Sequence, residues 1–126
     1  MNLERALGFS PKAEFKPGAS LQRVRLDEAS LARAMGHWRS CAAADRPSLR
    51  SLSRSEGEDK KAWLNIVLDA GGQDARLCLE VPISGALPDF SSIWPHCRWW
   101  QEELSTFAGL KFEAAEKQAG VAWRLA

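Results

Sequence analysis

Apolar positions recur along this chain with two different periods. Over residues 63–81 the period is two. Leu64, Ile66 and Leu68 alternate with Trp63, Asn65 and Val67, and Leu77, Leu79 and Val81 alternate with Arg76, Cys78 and Glu80. Alternation of this kind marks half-buried strands. Residues 70–74 (Ala-Gly-Gly-Gln-Asp) predict a turn between them, so the two runs form an antiparallel hairpin. Residues 21–26 alternate as well and predict a short edge strand. Between residues 27 and 44 the period lengthens. Leu31, Ala34, Met35 and Trp38 recur at i, i+3, i+4 and i+7, which is the apolar face of a helix. Asp27 is its N-cap, Glu28 suits the dipole of the first turn, and Pro47 lies beyond its end. Residues 48–53 are a poor strand, because Leu49 and Leu52 fall out of alternation, and residues 56–61 are a charged loop.

Pro82 and Pro88 keep the next segment irregular, and Pro95 opens a second helix. Trp100, Leu104 and Phe107 share a face at i, i+4 and i+7, and Gly109 is a left-handed stop. Residues 113–119 predict one more short helix. The organisation expected is a loose N-terminal arm over residues 1–20 with a helical turn at 3–7, a single domain over 21–112, and a tail over 113–126. The fold class is α+β: a small, mostly antiparallel sheet of three to four strands covered by two helices.

The 126 residues suffice for one core, and 45% hydrophobic with 26% charged residues describes an ordinary globular chain. A net charge of +1 argues against nucleic acid or an anionic membrane as partner. No apolar run is long enough for membrane insertion, and the N-terminus lacks the pattern of a signal peptide, so a cytoplasmic chain is expected. Cys41, Cys78 and Cys97 are odd in number and widely spaced, which argues against a disulfide framework. Neither Cys-x-x-Cys nor His-x-x-x-His occurs, and the Gly71-Gly72 pair precedes a strand, not the helix a phosphate cradle needs. An enzyme would have to gather His96, Cys97, Glu102 and Glu103. The plainer reading buries Cys97 as a small hydrophobe, leaves His96 at the surface and solvates both carboxylates. No catalytic, metal-binding or cofactor-binding residue is assigned, and no cofactor is expected. His37 is a partly exposed helix residue.

The aromatic usage is unusual, with six Trp, five Phe and no Tyr. Trp38 and Trp63 are assigned to the core, and Trp123 falls in the tail. Trp94, Trp99 and Trp100 cluster. They belong to the stretch 91–112, Ser-Ser-Ile-Trp-Pro-His-Cys-Arg-Trp-Trp-Gln-Glu-Glu-Leu-Ser-Thr-Phe-Ala-Gly-Leu-Lys-Phe. This stretch resembles the family of the C-type accessory subunit of respiratory complex I (NADH:quinone oxidoreductase), whose module recurs in energy-converting, membrane-bound nickel–iron hydrogenases. Ser91 or Ser92 stands before the aromatic-Pro pair Trp94-Pro95, Cys97 takes the small-residue place and Trp99 that of the Trp. Glu103 matches the second acid of the family's Glu-Arg-Glu, and Gly109, Leu110 and Phe112 match its closing Gly-Ile-x-Phe.

The chain also departs from the pattern. Gln101 and Glu102 replace Glu and Arg, Thr106 replaces an Asp, and Ala108 replaces a Phe. The family's C-terminal His-Pro segment with arginines has no counterpart over 113–126. These changes bear on docking more than on fold. The resemblance implies a non-catalytic accessory subunit without cofactors, packed on a large hydrogenase-like or quinone-reducing subunit and peripheral to the inner membrane through that complex. The residues expected at the interface are Trp94, Pro95, Trp99, Glu102, Glu103 and Phe112. Trp100 lies on the predicted core stripe, which leaves Trp94 and Trp99 for a partner; the other reading has both covering the domain's own sheet. The alternative function is a free-standing binding or regulatory module that kept the fold and lost the complex.

Overall fold

A computed structural model describes residues 3–9, 21–42, 45–57, 59–69 and 76–113. Four strands form the main sheet: β1 (Leu21–Arg25), β2 (Ser48–Glu56), β3 (Ala62–Asp69) and β4 (Arg76–Pro82). Their order is β1-β4-β3-β2, with β1 parallel to β4 and the other two pairings antiparallel. The sheet is thus mostly antiparallel, as expected, with β1 at one edge. The 70–74 turn lies outside the described residues. Leu64, Ile66 and Leu68 stand opposite Val81, Leu79 and Leu77, and all six are buried.

The weak strand over 48–53 is a full nine-residue strand. Its pairing register shifts between Leu49 and Ser51, so a bulge absorbs one residue. The bulge returns both Leu49 and Leu52 to the buried face although they are three positions apart. That irregularity is what breaks the alternation in the sequence. Trp63 corrects the assignment to the core: it is half-buried on the opposite face, with the Arg25 guanidinium 4.6 Å above its ring.

Helix α1 (Leu3–Leu7) and helix α2 (Glu28–Ser40) precede β2. Asp27 caps α2 by accepting from the Ser30 amide at 2.7 Å, which holds its carboxyl below the usual range. Leu31, Ala34, Met35 and Trp38 are all buried, as the periodicity requires. The N-terminal segment is not loose over its described part. Ala6, Leu7 and Phe9 belong to the core, Trp38 Nε1 donates to the Ala6 carbonyl at 2.8 Å, and His37 Nε2 donates to the Arg5 carbonyl at 3.0 Å. Both donors sit 32 residues downstream of their acceptors, so no local pattern announces them. Gly8 closes α1 with φ +82°, and a Cβ there would meet the His37 ring at 2.6 Å. Residues 10–20 lie outside the described part.

Past α2, Arg46 gathers three carbonyls. Its Nε donates to Trp38 at 2.8 Å, Nη1 to Ile93 at 3.1 Å and Nη2 to Cys41 at 3.4 Å. One guanidinium therefore closes the C-terminal end of α2 and ties it to a loop 47 residues away. Arg46→Ala is expected to cost about 1.5–3 kcal/mol, the range for hydrogen bonds to a charged donor. Arg46→Lys should recover only part of it, because one ammonium cannot span the fork. Urea unfolding of the two variants checks this.

The last described elements are β5 (Leu87–Pro88), two 3₁₀ turns (Phe90–Ser92 and Pro95–Cys97), helix α3 (Arg98–Ala108) and β6 (Phe112–Glu113). Strand β6 pairs in parallel with β5. The helix expected over 113–119 is therefore corrected at its start: Glu113 is extended, and 114–119 lie outside the described residues. Gly109 stops α3 in the left-handed conformation at φ 68°. Among the described residues no helix is long and apolar enough to cross a membrane.

Candidate partner interface

Pro95 occupies the first turn of the 3₁₀ segment that leads into α3, where its missing N–H costs nothing. Just before it, Trp94 points inward. Only 5% of it is exposed, its ring centroid lies 5.1 Å from that of Trp38, and its Nε1 donates to the Pro47 carbonyl at 2.9 Å. Trp94 is thus removed from the expected interface, because its ring and its one donor are both engaged inside the domain. Phe112 is half-buried against Phe90, ring centroids 6.3 Å apart, and also turns to the core.

Helix α3 carries the second correction. Its inward side is Gln101, Leu104 and Ala108 beneath Cys97, with Trp100 half-buried beside them. Phe107 is 83% exposed, so the stripe Trp100–Leu104–Phe107 is not the buried face. Gln101, 8% exposed, takes the inward place instead. Its Oε1 accepts from the Phe90 amide at 2.7 Å and its Nε2 donates to Asp89 Oδ1 at 2.8 Å. Hydropathy cannot anticipate a polar side chain whose burial rests on partners in another segment.

Asp89 also caps the preceding 3₁₀ turn by accepting from the Ser91 amide at 3.0 Å. Burial pushes its pKa up, but the Ser91 hydroxyl, the Gln101 amide, the Ser91 N–H and the charge of Arg98 outweigh that and hold it below the ordinary value.

His96 and Cys97 do not act together. His96 is exposed, donates from Nε2 to the Leu49 carbonyl at 2.9 Å and packs edge-on to Trp100 at 5.7 Å. Cys97 is fully buried, and burial, aided by the charge of Asp89, pushes its thiol up to about 11. A thiol so placed stays protonated near neutrality and is a poor nucleophile. Among the described residues no three of His, Cys, Asp and Glu converge on one point.

The outward side of α3 holds the remaining candidates. Trp99 is 64% exposed, Glu102 and Glu103 are exposed, and Pro95 is exposed just ahead of the helix. Trp99, Glu103 and Phe107 stand at i, i+4 and i+8, a single row along the helix. Trp99 and Phe107 are the large hydrophobic side chains left most exposed among the described residues. Sequence spacing misses Phe107 because its distance from Trp100 imitates a core stripe; its equal fit to the row Trp99–Glu103 is the signal that could have found it.

The chain matches no family model and no curated protein sequence. It is similar in structure to a chain of the membrane-bound sulfane sulfur reductase, an archaeal respiratory membrane complex. The TM-score is 0.66 at 17% identity, over 91% of this chain and 70% of the other. The two share a fold. That fold is mixed α+β, as the order of elements leads one to expect.

Proposed function

We propose that the chain is a non-catalytic accessory subunit of a complex I-like or membrane-bound nickel–iron hydrogenase-like respiratory assembly, docked on its large hydrogenase-like subunit. Two supports converge. The segment 91–112 resembles the C-type accessory family of complex I, and the fold is shared with a chain of a respiratory membrane complex. In this reading the chain supplies no cofactor ligand and no reacting group, and it reaches the membrane only through its partners.

The observation that carries the reading is Trp99. An indole is unfavourable to leave in water, and exposed Trp at the centre of a polar rim is a frequent anchor of interfaces. Trp99 is largely exposed and outside the buried core, while its neighbour Trp100 packs against that core. The docking face is therefore read as Pro95, Trp99, Glu102 and Glu103, extended by Phe107.

Trp99→Asp is expected to reduce co-purification with the large subunit at least tenfold. Its urea midpoint should stay near that of the unaltered chain, since an exposed substitution moves stability by only about 0.5 kcal/mol. A variant that assembles normally would overturn the docking face.

A further inference from the structure

We propose that the outward face of α3 receives a protein segment that presents an arginine or lysine flanked by apolar side chains. The proposal rests on the docking face described above and adds the chemistry of what covers it. Trp99 and Phe107 lie about 12 Å apart along the helix axis, at 1.5 Å per residue, with Glu103 midway in the same row and Glu102 beside it. The face thus reads aromatic, carboxylate, aromatic. Exposure of both rings leaves them able to pack on a partner, and exposure of both carboxylates leaves them able to accept from one.

The two acids do no evident work for their own helix. Carboxylates stabilise a helix in its first turn, where they meet the positive end of the dipole, yet α3 has no acid in its first turn and no base in its last. Glu102 and Glu103 sit in its middle. Neither forms an ion pair among the described residues, although Arg98 precedes Glu102 by one turn. The Arg98 charge contributes to holding down the Asp89 carboxyl. Adjacent carboxylates repel one another, and covering them with an apolar surface alone would strand both charges. A cation between two apolar contacts satisfies the carboxylates and the rings together. A planar guanidinium does so best, since it can take a carboxylate bidentately and stack on an indole.

A second copy of this chain applying the same face is disfavoured. A two-fold contact would set Glu102 and Glu103 against their own equivalents.

The test uses the full-length chain in the organism that makes it, with a photo-activatable benzophenone residue at Thr106. This exposed position lies on the same face and spares the acids and the rings. The cross-linked segment is sequenced by mass spectrometry. The composition of that segment decides. An Arg or Lys within a few residues of the cross-link is expected. Glu102→Lys with Glu103→Lys should lower the yield at least tenfold, and reversing the partner's cation to Glu should restore it.

A segment without a basic residue, a cross-link to a second copy, or an undiminished yield from the double lysine variant would each overturn the proposal. No cross-link from a chain with an unaltered circular dichroism spectrum does the same. A basic segment from a protein outside respiratory assemblies would uphold this inference and sink the function proposed above. A segment without basic residues from a respiratory large subunit would do the reverse.

Discussion

Replacing Trp38 by alanine is expected to cost about 3–5 kcal/mol, enough to consume much of the stability of a domain whose total lies near 5–15 kcal/mol. Trp38 is fully buried and joins three parts of the molecule. It is the last member of the apolar stripe of α2, its ring packs on Trp94 from the loop before α3, and its N–H holds the Ala6 carbonyl of α1. Truncation leaves a cavity, an orphaned carbonyl and an unsupported neighbouring indole. Trp38→Phe separates these effects. It keeps most of the ring volume but strands the carbonyl, so about 1–3 kcal/mol is expected from the hydrogen bond. Urea unfolding followed by circular dichroism gives both values. Equal losses for the two variants would mean that the hydrogen bond, rather than the packing, dominates.

Gln101→Glu is the second large effect, and its size depends on pH. In the unaltered chain the amide both accepts from Phe90 and donates to Asp89. A glutamate at 101 keeps the acceptor and places a second carboxylate oxygen against Asp89 Oδ1, where a 2.8 Å contact now carries a proton. Two carboxylates so close cannot both stay ionised, so the pair binds one proton more tightly than free carboxylates do.

The unaltered Asp89 has a folded pKa below its ordinary value. Its contribution to stability is therefore present above the unfolded pKa and lost as pH falls through the folded one. In Gln101→Glu the shared proton raises the folded pKa. The pair then contributes stability below the unfolded pKa, and loses it as pH rises through the folded value. The variant should be least stable relative to the unaltered chain near neutrality and recover on moderate acidification. Urea midpoints measured from neutral pH down to the carboxylate range check this. A loss that stays constant across that range would show that the introduced carboxylate and Asp89 do not share a proton. Gln101→Leu serves as the control: it removes both the acceptor for Phe90 and the donor to Asp89 without adding a carboxylate. No shared proton forms, so its loss should shrink only at the more acidic pH where Asp89 itself protonates.

Much of the fold is legible in the sequence because it rests on local periodicity. The alternation within β3 and within β4, the cap and stripe of α2, and the stop at Gly109 each depend on residues within a few positions of one another. Legibility fails where a long-range partner decides. Strand β2 is obscured by a bulge, which only its pairing with β3 makes necessary. Hydropathy places the inward face of α3 about one residue out of phase, because Gln101 is buried by contacts with Asp89 and Phe90. Trp94 looks like an anchor for a partner, yet its partners, Trp38 and Pro47, come from the first half of the chain.

Of the proposed docking face, Trp99, Pro95, Glu102 and Glu103 are all identifiable by residue type. Their exposure is not. Hydropathy ranks Trp94, Trp99 and Phe107 together as large apolar side chains, and nothing local separates the one that is covered from the two that are open.

By itself, then, the amino-acid sequence determined which segments are strands and helices wherever spacing and capping are local, and hence the α+β class. Tertiary structure alone decided which aromatics the domain keeps for itself and which it leaves exposed. Burial is settled by partners far apart in the chain, such as an indole meeting a carbonyl 32 or 47 positions away, and no window of neighbouring residues contains them.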